Sequence, residues 1–230
     1  MPFNEVMRVR YKNSPLVQVV CQLRFPRILS IDEKSPAEFQ ECIREIYPVY
    51  NVNIEQQQQL IVEPDNGQFS KLIRNDQIKN HSFSSSDHIW RVSLTSTFLS
   101  LSTSQYIRWE NFCLHLQEPL NALKTIYHPA FFERVGLRYV NAFQRSVLGL
   151  DAGEPWSQFI RSFALGFLSN NEIAAEVKGY SATSEIDLGN NAVARINTAT
   201  GYVGNAVFQQ NPEMSFIIDS DLFYNTSDQS

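Results

Sequence analysis

Hydrophobic and polar positions along this chain switch between two periods. From 16 to 25 they alternate: Val17, Val19, Cys21, Leu23 and Phe25 fall on one face, and Gln18, Val20, Gln22 and Arg24 on the other. Period two with this composition predicts a half-buried strand, ended by Pro26. Ser35-Pro36-Ala37-Glu38 reads as a helix start, with Ser35 as cap, Pro36 in the first turn and Glu38 completing a capping box. Phe39, Ile43 and Ile46 then share a helical face that stops at Tyr47-Pro48.

From 53 to 103 the pattern predicts strands. Leu60–Val62 and Phe69–Ile73 flank Pro64-Asp65-Asn66-Gly67, a hairpin signal. A polar loop over 82–87 precedes strands at 89–95 and 98–103. A helix follows over 106–127, capped by Ser104, with Phe112, Leu116, Leu120, Leu123 and Tyr127 as its apolar stripe and Pro119 as a kink.

The pattern then restarts: a strand at 131–143, a helix carrying Trp156, Phe159, Ile160, Phe163 and Phe167, and strands at 173–180, 184–188, 192–198, 202–208 and 215–223. The helical one-sided spacing of Trp109, Phe112 and the 156–167 aromatics predicts core positions rather than a base-stacking platform. Leu23-Arg24-Phe25 parallels Leu137-Arg138-Tyr139, and Pro36, Phe39 and Ile43 parallel Pro155, Phe159 and Phe163. Internal similarity of this kind predicts a duplication. The expected organisation is a polar arm over 1–13, a first α+β repeat over 14–129, a second over 130–224 in the same continuous domain, and a polar tail over 225–230. The first repeat ends in a helix and the second has no counterpart, so the chain reads as one helix short.

Strand, helix, four strands and helix, repeated, resembles the TATA-box-binding-protein-like fold. The resemblance implies an α+β protein with one long curved antiparallel sheet and helices packed on one face. Segments 13–26 (Asn13-Ser14-Pro15-Leu16 through Leu23-Arg24-Phe25-Pro26), 99–112 (Leu99-Ser100-Leu101 through Arg108-Trp109-Glu110-Asn111-Phe112), 131–141 (Phe131-Phe132-Glu133-Arg134-Val135-Gly136-Leu137-Arg138-Tyr139) and 216–221 (Phe216-Ile217-Ile218-Asp219-Ser220-Asp221) are also similar to a sporadically distributed family of uncharacterised prokaryotic proteins. That family carries over no activity. Its members run on into a further C-terminal helix.

Composition narrows the function classes. Of the 230 residues, 43% are hydrophobic and 12% aromatic, enough for a packed core and against global disorder. The net charge is −5. Residues 1–114 hold 12 basic and 12 acidic residues, and residues 115–230 hold 7 and 12, so the second half carries the whole excess. An acidic chain disfavours a nucleic-acid binder, whose phosphate affinity comes from clustered Lys and Arg. Cys21, Cys42 and Cys113 are odd in number and lack a C-x-x-C, which predicts reduced thiols and a cytoplasmic protein. The N-terminus has no apolar h-region and no run is long enough to span a bilayer, so neither a signal peptide nor a membrane partner is expected.

No catalytic constellation, phosphate-cradling glycine loop or Cys/His ligand spacing is present, and no cofactor is implied. His115, among apolar neighbours on the long helix, reads as a satisfied, partly buried histidine. Asp219-x-Asp221 puts two carboxylates on one face of a strand and could hold Mg²⁺ or Mn²⁺, or pair with arginines; no metal site is assigned on that alone. Glu185-x-Asp187 is a similar pair. Strand parity gathers another set. Gln22 and Arg24 point away from the helices, as do Arg134 and Arg138 in the matching strand, and Arg91, Ser93 and Thr95 share that parity. Internal symmetry would bring Arg24 and Arg138 near the centre of one open face. Arginine suits bidentate recognition of carboxylate or phosphate, although Glu133, Asp219 or Asp221 could neutralise these arginines instead. The leading expectation is a non-enzymatic binding or adaptor protein. It would engage a protein partner, or a second copy of itself, through the open face or through a C-terminal surface left uncovered. Nucleic-acid binding on the concave sheet and a metal-dependent enzyme using Asp219 and Asp221 are the alternatives.

Overall fold

The computed structural model describes residues 7, 9, 11–65, 68–202 and 213–226, with the backbone alone for 55–65 and 68–77. The protein is α+β. Nine antiparallel strands form an open sheet in the order β2-β3-β4-β5-β1-β6-β9-β8-β7. The chain runs β1 (Leu16–Arg24), α1 (Leu29–Glu33), α2 (Ala37–Ile43), β2 (Val49–Asp65), β3 (Gln68–Ser84), β4 (Trp90–Leu94), β5 (Phe98–Thr103) and α3 (Trp109–Tyr127). It continues through β6 (Arg134–Phe143), α4 (Arg145–Leu148), α5 (Ser162–Leu165), β7 (Ser181–Gly189), β8 (Ala192–Tyr202) and β9 (Met214–Asn225). Two compact units emerge. One comprises Gln22–Thr103 and Ile107–Arg134 (the 22–134 unit); the other comprises Met1–Cys21, Ser104–Tyr106 and Val135–Ser230 (the 135–230 unit). Among the described residues no helix is long and apolar enough to cross a membrane.

In the 22–134 unit the core lies between the sheet and α2 with α3. Phe39 and Phe83 are fully buried with ring centroids 5.4 Å apart, and Phe112 packs 5.6 Å from Trp90. Burying one such side chain contributes about 1.5–3 kcal/mol. Of the stripe expected on α3, Phe112, Leu116 and Leu123 are buried and Leu120 and Tyr127 half-buried, while Pro119 sits inside the helical span. Both helix starts shift. In α2, Pro36 is itself the N-cap, and its carbonyl accepts the Gln40 N–H at 2.9 Å, while Ser35 makes no side-chain cap. The long helix begins at Trp109, because extended Arg108 offers its carbonyl to the Phe112 N–H.

The hairpin read around 64–67 is present as β2 and β3, in register from Val49↔Ser84 to Asp65↔Gln68. It is far longer than its apolar runs suggested, because backbone pairing continues through polar positions. The loop expected over 82–87 shrinks accordingly: β3 runs to Ser84, and Asp87 ties the turn by accepting from the Ser85 hydroxyl at 2.5 Å and the Ile89 N–H at 3.0 Å.

In the 135–230 unit the core cluster is Trp156, Ile160, Leu165, Leu168 and Phe216, with Phe143 and Tyr180 against it. Two expectations fail here. The 156–167 segment is not one helix but a 3₁₀ turn at Trp156–Gln158, the short α5, and a second 3₁₀ turn at Gly166–Ser169. Arg161 is extended and Gly166 has φ +52°, so the helical face is interrupted twice. Phe163 and Phe167 consequently point out, 88% and 72% exposed, instead of joining the core. Residues 173–180 are not a strand either: the Ala174 and Glu176 N–H groups bond to the nearby Asn170 and Ile173 carbonyls. The expected strand at 202–208 lies beyond Tyr202 outside the described residues, as does most of the 1–13 arm and the end of the 225–230 tail.

Candidate functional site

The open face of the 22–134 unit is built by strand alternation. Phe83, Val92 and Leu101 are fully buried on the core side. Their strand neighbours align on the other side as two cross-strand rows, Ser82–Ser93–Ser100 and Ser84–Arg91–Ser102, in which Ser82, Ser84 and Ser100 are buried and the Ser102 hydroxyl donates to the Arg91 carbonyl at 3.4 Å. In β1, Gln22 and Arg24 alternate with buried Cys21 and Leu23. Arg134 Nη1 donates to Gln22 Oε1 at 3.4 Å, which places both on one face. Glu133 meets Arg24 through the backbone, its N–H donating to the Arg24 carbonyl at 2.8 Å. Among the described residues neither Arg24 nor Arg91 has a carboxylate within ion-pair distance. Thr95, of the same parity, is fully buried. Its hydroxyl accepts the Thr97 and Phe98 N–H groups at 3.2 and 3.0 Å, so it closes the β4–β5 turn rather than lining the face.

The face of the 135–230 unit opposite its core has the other electrostatic character. Arg138 forms a two-pronged fork on Asp219, Nε to Oδ1 at 2.7 Å and Nη2 to Oδ2 at 2.6 Å. This is the geometry in which a guanidinium and a carboxylate match best. The Asp219 carboxylate holds the Arg138 guanidinium charged, against the opposing effect of burial. Asp219 lies opposite Asn197, and Asp221 opposite Arg195, which in turn pairs with Glu185 at 2.6 Å. Thr183 adds a hydrogen bond to Asn197 at 2.8 Å. Strand pairing therefore carries Glu185, Arg195 and Asp221 in one row and Thr183, Asn197 and Asp219 in the next. Both oxygens of Asp219 are engaged by Arg138, so a cation at Asp219 and Asp221 would compete with a guanidinium. Among the described residues no group of three His, Cys, Asp or Glu side chains is poised to hold a metal ion.

Two of the four histidines, His115 and His81, are held by packing and hydrogen bonds. His115 stacks on Trp90 with centroids 3.8 Å apart, and Tyr47 donates its hydroxyl to the His115 carbonyl at 2.9 Å. Burial lowers the His115 pKa and raises that of Tyr47. His81, 3% exposed, lies between the Tyr50 hydroxyl at 2.9 Å and the Ile31 carbonyl at 3.3 Å.

The sequence-derived set divides between the units: Gln22, Arg24, Arg91 and Arg134 belong to the 22–134 unit, Arg138, Asp219 and Asp221 to the other. The serine rows were missed. The signal was there, since Ser82, Ser84, Ser93, Ser100 and Ser102 alternate with apolar residues, but which of them align depends on register. Neither a protein-family model nor a curated protein matches the chain.

Proposed function

We propose that this chain is a non-enzymatic binding or adaptor protein that engages a protein partner through the open sheet face of the 22–134 unit. One observation carries the reading: half-buried Arg24 and exposed Arg91 have no carboxylate partner among the described residues. Such a face fits an acidic segment, whose carboxylates would be met by guanidinium forks. A polyanion is the less favoured ligand. The chain is acidic overall, and phosphate-backbone affinity scales with the number of cations engaged. Phe163 and Phe167, exposed in the other unit, add apolar surface of a kind suited to protein contact.

The finer architecture belongs to the same proposal. Each half begins with a strand followed by short helical segments and further strands, which supports a duplicated TATA-box-binding-protein-like layout and kinship with the prokaryotic family that segments 13–26, 99–112, 131–141 and 216–221 resemble. An odd number of cysteines with no C-x-x-C supports a reducing, cytoplasmic setting.

A titration by fluorescence anisotropy tests the reading, with a short poly-glutamate peptide and a single-stranded DNA oligonucleotide as the two probes. The peptide should bind, and Arg24→Ala or Arg91→Ala should each weaken it by about tenfold. Tighter binding of the DNA, with the same arginine dependence, would transfer the face to nucleic acid. Binding of neither probe, or binding untouched by both substitutions, rejects it.

A further inference from the structure

The 135–230 unit contains a cleft of about 400 Å³, separate from the sheet faces described above. That volume lies within the range of small-molecule sites. Its polar lining is Arg145, Glu154, Asn171, Lys178 and Thr200, and Trp156 forms part of its apolar wall.

Arg145 is fixed in place. Its guanidinium carbon lies 3.7 Å from the centre of the Trp156 ring, and its Nε donates to the Glu154 carbonyl at 2.8 Å. The stack and this hydrogen bond set the plane of the guanidinium, and among the described residues its terminal nitrogens make no hydrogen bond. The two nearest acids are committed elsewhere. The Glu154 carboxylate accepts the Asp151 N–H at 2.9 Å. The Glu213 carboxylate accepts the Ser146 N–H at 3.2 Å and the Ser146 hydroxyl. Among the described residues no carboxylate forms an ion pair with Arg145. Burial also works against its charge: the Arg145 pKa is pushed down by desolvation, and the charges of Glu213 and Glu154 oppose this. Lys178 brings a second cation to the same cleft. A held, partly dehydrated guanidinium, a second ammonium and an aromatic wall form a site for a negative head group on a flat apolar body.

We propose that this cleft binds a small organic anion, a carboxylate or phosphate ester carried on a planar ring, with Arg145 and Lys178 meeting the oxyanion and Trp156 flanking the ring. The proposal does not depend on the sheet-face reading, since it uses other residues in the other unit.

Isothermal titration calorimetry with benzoate and phenyl phosphate tests it on the full chain, with benzamide as the neutral counterpart. At least one anion should bind, benzamide should bind about tenfold more weakly or not at all, and Trp156 emission should change on binding. Lys178→Gln, at an exposed position, should weaken the anion by about tenfold and leave benzamide unchanged. Arg145→Gln should abolish binding; if it fails to fold, Lys178→Gln still decides. Absence of heat with both anions, equal binding of benzamide, or an unaltered affinity in Lys178→Gln overturns the proposal.

Discussion

His81 illustrates how a single side chain couples burial to pH. The Ile31 carbonyl can only accept a hydrogen bond, so the ring proton belongs on Nε2, and Nδ1 accepts from the Tyr50 hydroxyl. A second proton on Nδ1 would remove that acceptor. Desolvation lowers the His81 pKa most, Lys79 adds to this, and the Ile31 carbonyl and Asp32 oppose it. A pKa lower in the folded than in the unfolded chain means that the unfolded chain binds more protons just below the ordinary histidine value. Stability is therefore fully present above about pH 6.5 and is lost as pH falls toward the lowered folded value. Chemical denaturation at a series of pH values should show stability falling from about pH 7.5 to about pH 5.5, and His81→Gln should flatten that slope. An identical slope in the variant would mean that His81 titrates alike in both states. None of this was legible locally. His81 read as one histidine among four without ligand spacing, and its partners lie 31 and 50 residues away.

At the scale of elements, the 156–169 segment separates periodicity from packing. Its aromatic spacing fits a helix, yet Gly166 takes φ +52° and leaves room for Tyr180: a Cβ there would stand 2.6 Å from Tyr180 Cε2. The chain turns instead of continuing, and Leu165, fully buried, takes the core position that Phe163 was expected to hold. Urea unfolding should reflect this. Leu165→Ala should cost about 2–4 kcal/mol through lost contacts and a cavity, whereas Phe163→Ser should change stability by less than about 0.5 kcal/mol, as at an ordinary surface position. Comparable losses in both would return Phe163 to the core. Elements held by alternation were more legible than this one. The strand expected over 98–103 is β5 residue for residue, and the one over 16–25 is β1 less its last residue, because period two records burial on one face directly.

On the scale of the whole molecule, the net charge of −5 conceals a division that matters for binding. Among the described residues Arg24 and Arg91 of one unit have no carboxylate partner, while the other unit pairs Arg138 with Asp219 and Arg195 with Glu185. If the open face of the first unit binds acidic segments electrostatically, affinity for poly-glutamate should fall several-fold as salt rises from about 0.05 to about 0.3 M, because the screening length contracts over that range. Salt-independent binding would assign the affinity to apolar contacts instead. The amino-acid sequence by itself determined the class of fold, most strands, the apolar stripe of the long helix and the parity that turns Gln22 and Arg24 away from the core. Each of these follows from local periodicity, which a chain carries wherever it folds. Only the tertiary structure decided that Arg138 is occupied by Asp219, 81 residues away, that five serines align into two rows, and that Arg145 lies over Trp156 at the wall of a cleft. Those features depend on register and on which distant side chains share a dry space, and no repeat along the chain encodes either.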